Sequence, residues 1–201
     1  MSADECYQVF DKSIEDYHKT NSPETSITNP YSAHFDALLY HKNWIDTVQW
    51  HLEDLIRNPS INPVEGMNLK RRIDKSNQDR TDIVEQIDDY FVETFKDVQL
   101  LPTAKQNSET PAWLLDRMSI LMLKIYHMEE QVNRKDVDAD HIQRCQAKLS
   151  VLVEQKKDMG ICFDELMEDF GVGNKKMKVY RQMKMYNDSS LNPVLYGSKN
   201  K

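Results

Sequence analysis

Glycine is scarce in this chain, and so are the other residues that punctuate β structure. Only 5 glycines occur in 201 residues, and the 7 prolines fall in a few clusters, too few turn signals for a sandwich or barrel of short strands. No segment alternates apolar and polar side chains for long enough to form a strand. Cysteine is nearly absent too. Cys6, Cys145 and Cys162 stand at unrelated spacings, which gives neither a disulfide framework nor a metal-ligand pattern and suits a reducing compartment. Long hydrophobic runs are missing: the most apolar window, Trp113 to Met128, is broken by Asp116, Arg117, Lys124 and His127 and is too short to span a bilayer. The first residues, Ser2-Ala3-Asp4-Glu5, lack the basic and apolar regions of a signal peptide, so a cytoplasmic location is expected. There is no Gly-rich phosphate loop, no Gly-x-Ser-x-Gly elbow and no His-Glu-x-x-His. Nor is there a repeat of 20 to 50 residues that would make a solenoid. Cations are the minority charge; a net charge of −7 argues against a general nucleic-acid binder.

What is present is helical periodicity. Ser2 and Glu5 form a capping box for a first helix with the stripe Cys6, Phe10, Ile14, Tyr17. After a polar loop, a second helix runs from near Ser32 to about Arg57, with His41, Ile45, Val48, Leu52 and Leu55/Ile56 inward, and stops at Asn58-Pro59. Asn62-Pro63-Val64-Glu65 supplies a cap, an N1 proline and an N3 glutamate for a third helix reaching about Val98. Thr110-Pro111 starts a fourth, ending near Arg134, and Asp136 or Asp138 caps a fifth that closes at Gly171 and Gly173. A short basic helix is expected over Lys175 to Tyr186. The reading is all-α, a single-domain bundle of four main helices, three of them long, with shorter helices at each end. Residues 1–187 form the domain and 188–201 a tail.

The third helix carries the most informative anomaly. Its stripe is Leu69, Ile73, Asn77, Arg80, Val84, Ile87, Phe91, Phe95, Val98, and two adjacent members are polar. A guanidinium in a buried seam must meet an anion, because burying it unpaired costs several kcal/mol. The second helix adds Asp46, Trp50, Glu53 and Arg57 on one face with Asp54 beside it, and the fourth adds Asp116, Arg117, Lys124 and His127. Asp74, Glu85 and Asp88 flank the polar pair on the third. Two readings are open. One is a structural ion-pair network, Arg80 with Asp54 or Asp116 and Arg117 with Glu85 or Asp88. The other is a central pocket lined by Arg57, Arg80, Arg117, Lys124 and His127 that receives a phosphate or carboxylate.

Metal chemistry is poorly represented. A di-iron bundle needs two Glu-x-x-His motifs, a pair the chain does not have, and His41, His51 and His127 on facing helices are the imidazole set that a metal site would use. The all-α nucleoside triphosphate pyrophosphohydrolases hold magnesium with Glu-x-x-Glu and Glu-x-x-Asp. Glu85-Gln86-Ile87-Asp88 matches the second half, but the sole Glu-x-x-Glu, Glu165 to Glu168, lies far downstream. No cofactor is implied. The run Lys175, Lys176, Lys178, Arg181, Lys184 is interleaved with Met177, Tyr180, Met183, Met185 and Tyr186 and is expected to dock on the protein's own acidic surface.

Three blocks carry a resemblance. They are Trp50-His51-Leu52-Glu53-Asp54-Leu55-Ile56-Arg57; Arg72-Ile73-Asp74 with Asn77-Gln78, Arg80 and Glu85-Gln86-Ile87-Asp88; and Glu109-Thr110-Pro111 with Asp116-Arg117-Met118-Ser119-Ile120 and Leu123-Lys124-Ile125-Tyr126-His127-Met128. In these the chain resembles a family of uncharacterised bacterial proteins, the domain of unknown function numbered 4254, over roughly residues 5 to 196. The resemblance implies a helical fold, no assigned activity and a setting near glycosyltransferases of surface-polysaccharide synthesis. The expectation is therefore a helical bundle that binds an anionic, phosphate- or nucleotide-sugar-like ligand. Arg57, Asn77, Arg80, Arg117 and Lys124 would contact it, Glu53, Asp54, Glu85, Asp88 and Asp116 would support those cations, and His127 is the candidate acid–base group. The alternative is a non-catalytic partner of a glycosyltransferase with a purely structural polar core. A homodimer is left open.

Overall fold

The Ser2–Glu5 capping box forms as the sequence predicts, with the Ser2 side chain accepting from the Glu5 amide and Glu5 accepting from the Ser2 amide. It opens α1, Ala3–His18, in a computed structural model that describes residues 1–197. The tail expected from residue 188 continues beyond these into 198–201, which lie outside the described residues. The other helices are α2 (His34–Ile56), α3 (Pro63–Phe95), α4 (Pro111–Val132), α5 (Ala139–Gly171) and the short α6 (Pro193–Gly197). Asn62, Thr110 and Asp138 cap α3, α4 and α5 with their side chains, each satisfying an amide that the helix itself cannot. The fold is all-α. Among the described residues its one departure is a two-residue parallel bridge between β1 (Lys105–Gln106) and β2 (Lys175–Lys176).

The helices pack chiefly as α2 on α3, α4 on α5 and α1 on α2. The stripe of α1 is buried throughout, and this helix keys the bundle together: Ser13 donates to the carbonyl of Tyr40 at 3.1 Å, and Tyr7 to that of Lys156 at 2.7 Å. Gly160 permits the close approach of α5, since a Cβ there would stand 3.3 Å from Ala3 Cβ. Helix α4 is buried on most sides, as its all-round apolarity predicts.

Two local expectations are corrected. The second helix is rotated relative to the expected stripe. Its buried side chains are Phe35, Leu38, Leu39, Lys42, Asn43, Asp46, Thr47 and Leu52 among others, while His41 and Leu55 are exposed. The apolar residues of α2 run almost all round, so α1 and α4 rather than hydropathy set its phase. The basic run is not a helix either. After β2 it is extended, with a single 3-10 turn at Met185–Asn187, because α3 holds it side-on. Arg181 pairs with Asp89 and Glu85, the Gln182 amide donates to Glu85 at 3.1 Å, and Lys184 donates to the carbonyl of Asn77 at 2.9 Å. Docking on an acidic surface is what the charges predicted, and these side-chain contacts replace the i→i−4 ladder a helix would have used.

Candidate functional site

The rotation of α2 places a lysine in the core. Lys42 is 1% exposed and sits between two carboxylates, Asp46 one turn along and Asp116 of α4. Its Nζ ion-pairs with Asp46 Oδ2, lies 2.9 Å from Asp116 Oδ1 and donates to the carbonyl of Asp116 at 3.2 Å. Ser119 donates to Asp46 Oδ2 at 2.6 Å, and Asn43 to Ser119 at 3.0 Å. From the other side Arg80 Nε approaches Asp116 Oδ1 at 3.1 Å. The two cations on Asp116 Oδ1 are ion pairs without hydrogen-bond alignment, and Asp46 Oδ1 has no hydrogen-bond partner among the described residues. Burial pushes the Asp46 carboxyl up, opposed by the Lys42 charge. Two cations and two anions thus close on themselves. Arg80 meets one of its expected partners, Asp116, but at 29% side-chain exposure it stands at the rim of the seam rather than within it.

The other predicted residues do not converge on one central pocket. Arg57 is exposed and folds back on Glu53. Arg117, expected on Glu85 or Asp88, is exposed and pairs with Glu109 instead, because Glu109 just precedes the same helix while Glu85 is taken by Arg181 and Gln182. Asp88 is buried against the Thr110 cap of α4, and burial pushes its carboxyl up to about 6. Asn77 accepts from Gln49 Nε2 at 2.9 Å, and Ser76 donates to the other end of the same amide at 3.2 Å. Among the described residues no three His, Cys, Asp or Glu side chains are grouped to hold a metal ion.

Lys124 and His127 instead border a cavity of about 1000 Å³ between α1, α2, α4 and α5. Its aromatic wall is Tyr17, Trp50 and three imidazoles, His18, His51 and His127. The His127 ring stacks on Trp50 with centroids 4.7 Å apart and planes 14° from parallel. Its Nδ1–H donates to Glu130 at 2.7 Å, which fixes the ring, and Nε2 is covered without a partner. His18 donates from Nδ1 to the carbonyl of Ile14 at 2.7 Å, and burial holds its pKa below the ordinary value, so it stays neutral at pH 7. His51 Nδ1 and the Tyr17 hydroxyl share a hydrogen bond of 2.8 Å. Two ammonium groups, Lys124 and Lys148, complete the polar lining, and neither pairs with any acid among the described residues. A second cavity of about 390 Å³ adjoins it and contains Asp46, Glu53, Arg57, Arg80, Ile120 and Leu123; Trp50 and Asp54 border both. Arg80 and Asn77 also border a third cavity, of about 560 Å³, closed on its outer side by Gln182, Lys184, Tyr186 and Asn187.

Several of these residues escaped the sequence reading. Lys42 had a signal, an i,i+4 pair with Asp46, hidden by the wrong phase for α2. Tyr17, His18 and Lys148 carried none, because only the packing of α1 and α5 brings them to the cavity.

Comparison with known proteins bears on the family alone. Among curated proteins and among solved structures nothing matches the chain. The family profile described as a protein of unknown function (DUF4254) matches residues 36–179, a span from the start of α2 to the strand after α5 that contains every residue of the polar seam. The sequence resemblance had been drawn wider, over roughly 5 to 196, so α1 and the segment beyond residue 179 lie outside the match. With most of its length matched, the chain belongs to the DUF4254 family.

Proposed function

We propose that the protein binds a small phosphate-bearing ligand, of the nucleotide-sugar or sugar-phosphate kind used in surface-polysaccharide metabolism, in the cavity between α1, α2, α4 and α5. One observation carries this reading: Lys124 and Lys148 face a cavity of about 1000 Å³ with no acid partner among the described residues, in a chain of net charge −7. Unpaired ammonium groups beside an apolar wall suit a multivalent anion, whose charge they meet without first breaking an ion pair. The acids of the lining do not compete for them. Glu130 is engaged by His127, and Asp54 stands on the side shared with the second cavity. The stacked Trp50 and His127 offer a flat face for a ring.

This keeps Lys124 as an anion contact, adds Lys148, and drops Arg57, Asn77, Arg80 and Arg117, each engaged within the protein. His127 remains the candidate acid–base group, oriented by Glu130, with a side-chain shift needed to uncover Nε2. The test is a thermal-shift screen against phosphate, pyrophosphate, sugar phosphates and nucleotide sugars. A ligand at 100 times its Kd adds about 2.7 kcal/mol, a shift of several degrees at this size. A hit that vanishes in Lys124→Met/Lys148→Met supports the site, and a hit unchanged by that pair of substitutions removes it.

The self-neutralised core favours a second reading, a non-catalytic partner of a glycosyltransferase with a purely structural polar network. Tyr180, Met183 and Tyr186, exposed on the basic segment, would supply its contact surface. That reading predicts no ligand hit, and partner binding lost on truncation before residue 180.

A further inference from the structure

The second cavity, of about 390 Å³, presents a different chemistry from its neighbour. Within it Glu53 and Arg57 neutralise each other, and Arg80 commits Nε and Nη2 to Asp116. What is left over is specific. The Asp54 carboxylate makes no hydrogen bond or ion pair among the described residues, and Asp46, with its side chain 3% exposed, has no partner there for Oδ1. Arg80 Nη1 still has hydrogens to give. Trp50 supplies an aromatic wall.

Three classes of occupant fail on these groups. A second phosphate would enter against the carboxylates of Asp46, Glu53 and Asp54. An ammonium would meet the guanidiniums of Arg57 and Arg80. An apolar group would take water from Asp54 and give its oxygens nothing in exchange, the costly half of a lost hydrogen bond. A neutral group carrying several hydroxyls fits all three constraints at once. Its O–H bonds donate to the Asp54 carboxylate, its oxygens accept from Arg80, and its C–H face packs on the indole.

We infer that this cavity is a polyol subsite, holding the hydroxylated part of a ligand whose phosphate lies in the larger cavity. Trp50 and Asp54 border both cavities and mark where the two halves join. The phosphate half rests on the function proposed above; the hydroxyl half rests on the smaller cavity alone.

The experiment is isothermal titration of the full chain with inorganic phosphate, with neutral glucose, galactose and mannose, and with the three corresponding hexose 1-phosphates. At least one hexose 1-phosphate is expected to bind about tenfold tighter than inorganic phosphate, the effect of a hydrogen bond to a charged group. Asp54→Ala, at an exposed helical position, is expected to remove that margin, read as the ratio of hexose-phosphate to phosphate affinity within the variant because Asp54 also borders the larger cavity. Lys124→Met/Lys148→Met should weaken phosphate and hexose phosphate alike. The inference is overturned if no hexose phosphate gains over phosphate, or if the gain survives Asp54→Ala. If phosphate binding fails or ignores the lysine substitutions, the larger-cavity reading falls by itself. The polyol subsite is then decided by the neutral hexoses: binding lost in Asp54→Ala upholds it, and absence of binding overturns it.

Discussion

Replacing Lys42 by Met should be the most damaging single change in the polar core. Lys42 is 1% exposed and, among the described residues, is the only cation touching Asp46, while it shares Asp116 with Arg80. Methionine has nearly the same length and fills the space, so the loss is electrostatic rather than a cavity. It leaves Asp46, already without a partner at Oδ1, as a buried anion held by Ser119 alone. Breaking a buried pair in this way costs about 3–5 kcal/mol. For a chain of this size that is roughly 6–20 °C in Tm. Urea unfolding at pH 7 followed by circular dichroism would measure it. Two controls separate charge from packing. Adding Asp46→Asn to the Lys42→Met background removes the stranded charge and should recover most of the loss. Lowering the pH should also narrow the gap between the variant and the parent. The sign follows from Asp46, whose carboxyl in the variant lies above its unfolded value, so the folded state takes up a proton first and gains stability as pH falls. A Lys42→Met variant within about 1 kcal/mol of the parent would refute the reasoning, since that is the range of an exposed pair.

Asp88 gives a prediction of opposite practical value. Burial pushes it to about 6 from an ordinary 3.8, so its ionised form is a cost to the fold above pH 6, a cost relieved as pH falls towards 4. Asp88→Asn should therefore gain on the parent in urea unfolding at pH 7.5 and lose that gain at pH 4; an equal difference at both would contradict the assignment. Arg181→Glu sets a like charge against Asp89 and Glu85 and should detach the segment after β2. Trypsin is then expected to cut at Lys176, Lys178 or Lys184 several times faster with the helical core intact, and an unchanged cleavage rate would show that other contacts hold the segment. Thr110→Ala removes the side-chain cap of α4 and should cost about 1 kcal/mol in the same unfolding assay.

How far the sequence carried depended on whether a feature was local. Capping residues act within one turn, so Ser2, Asn62 and Thr110 marked three helix starts correctly, and the fourth cap is Asp138, one of the two candidates for it. The stripe of α1 has one clear apolar side and was legible for the same reason. Helix α2 has apolar residues on nearly every side, and its phase is settled only by what packs on it. That single ambiguity concealed Lys42 and with it the charge balance of the seam. Arg80 and Asp116 were found because a cation in an apolar stripe has few places to go. Arg117 was misassigned because helical phase does not register a partner in the preceding loop, Glu109. The cavity itself is a tertiary object. Its histidines come from α1, α2 and α4 and its second lysine from α5, and no pattern within one helix announces that they meet.

Lys148 offers the most direct test of the proposed site. It is exposed on α5 and has no ion-pair partner among the described residues, so Lys148→Met should leave Tm unchanged, and any effect on binding reports the cavity rather than the fold. Titration calorimetry of the parent and this variant with the best phosphate-bearing ligand from the screen should show affinity about tenfold weaker in the variant, the loss of one charge-assisted contact. Equal affinity in the two proteins would contradict the placement of the ligand between Lys124 and Lys148.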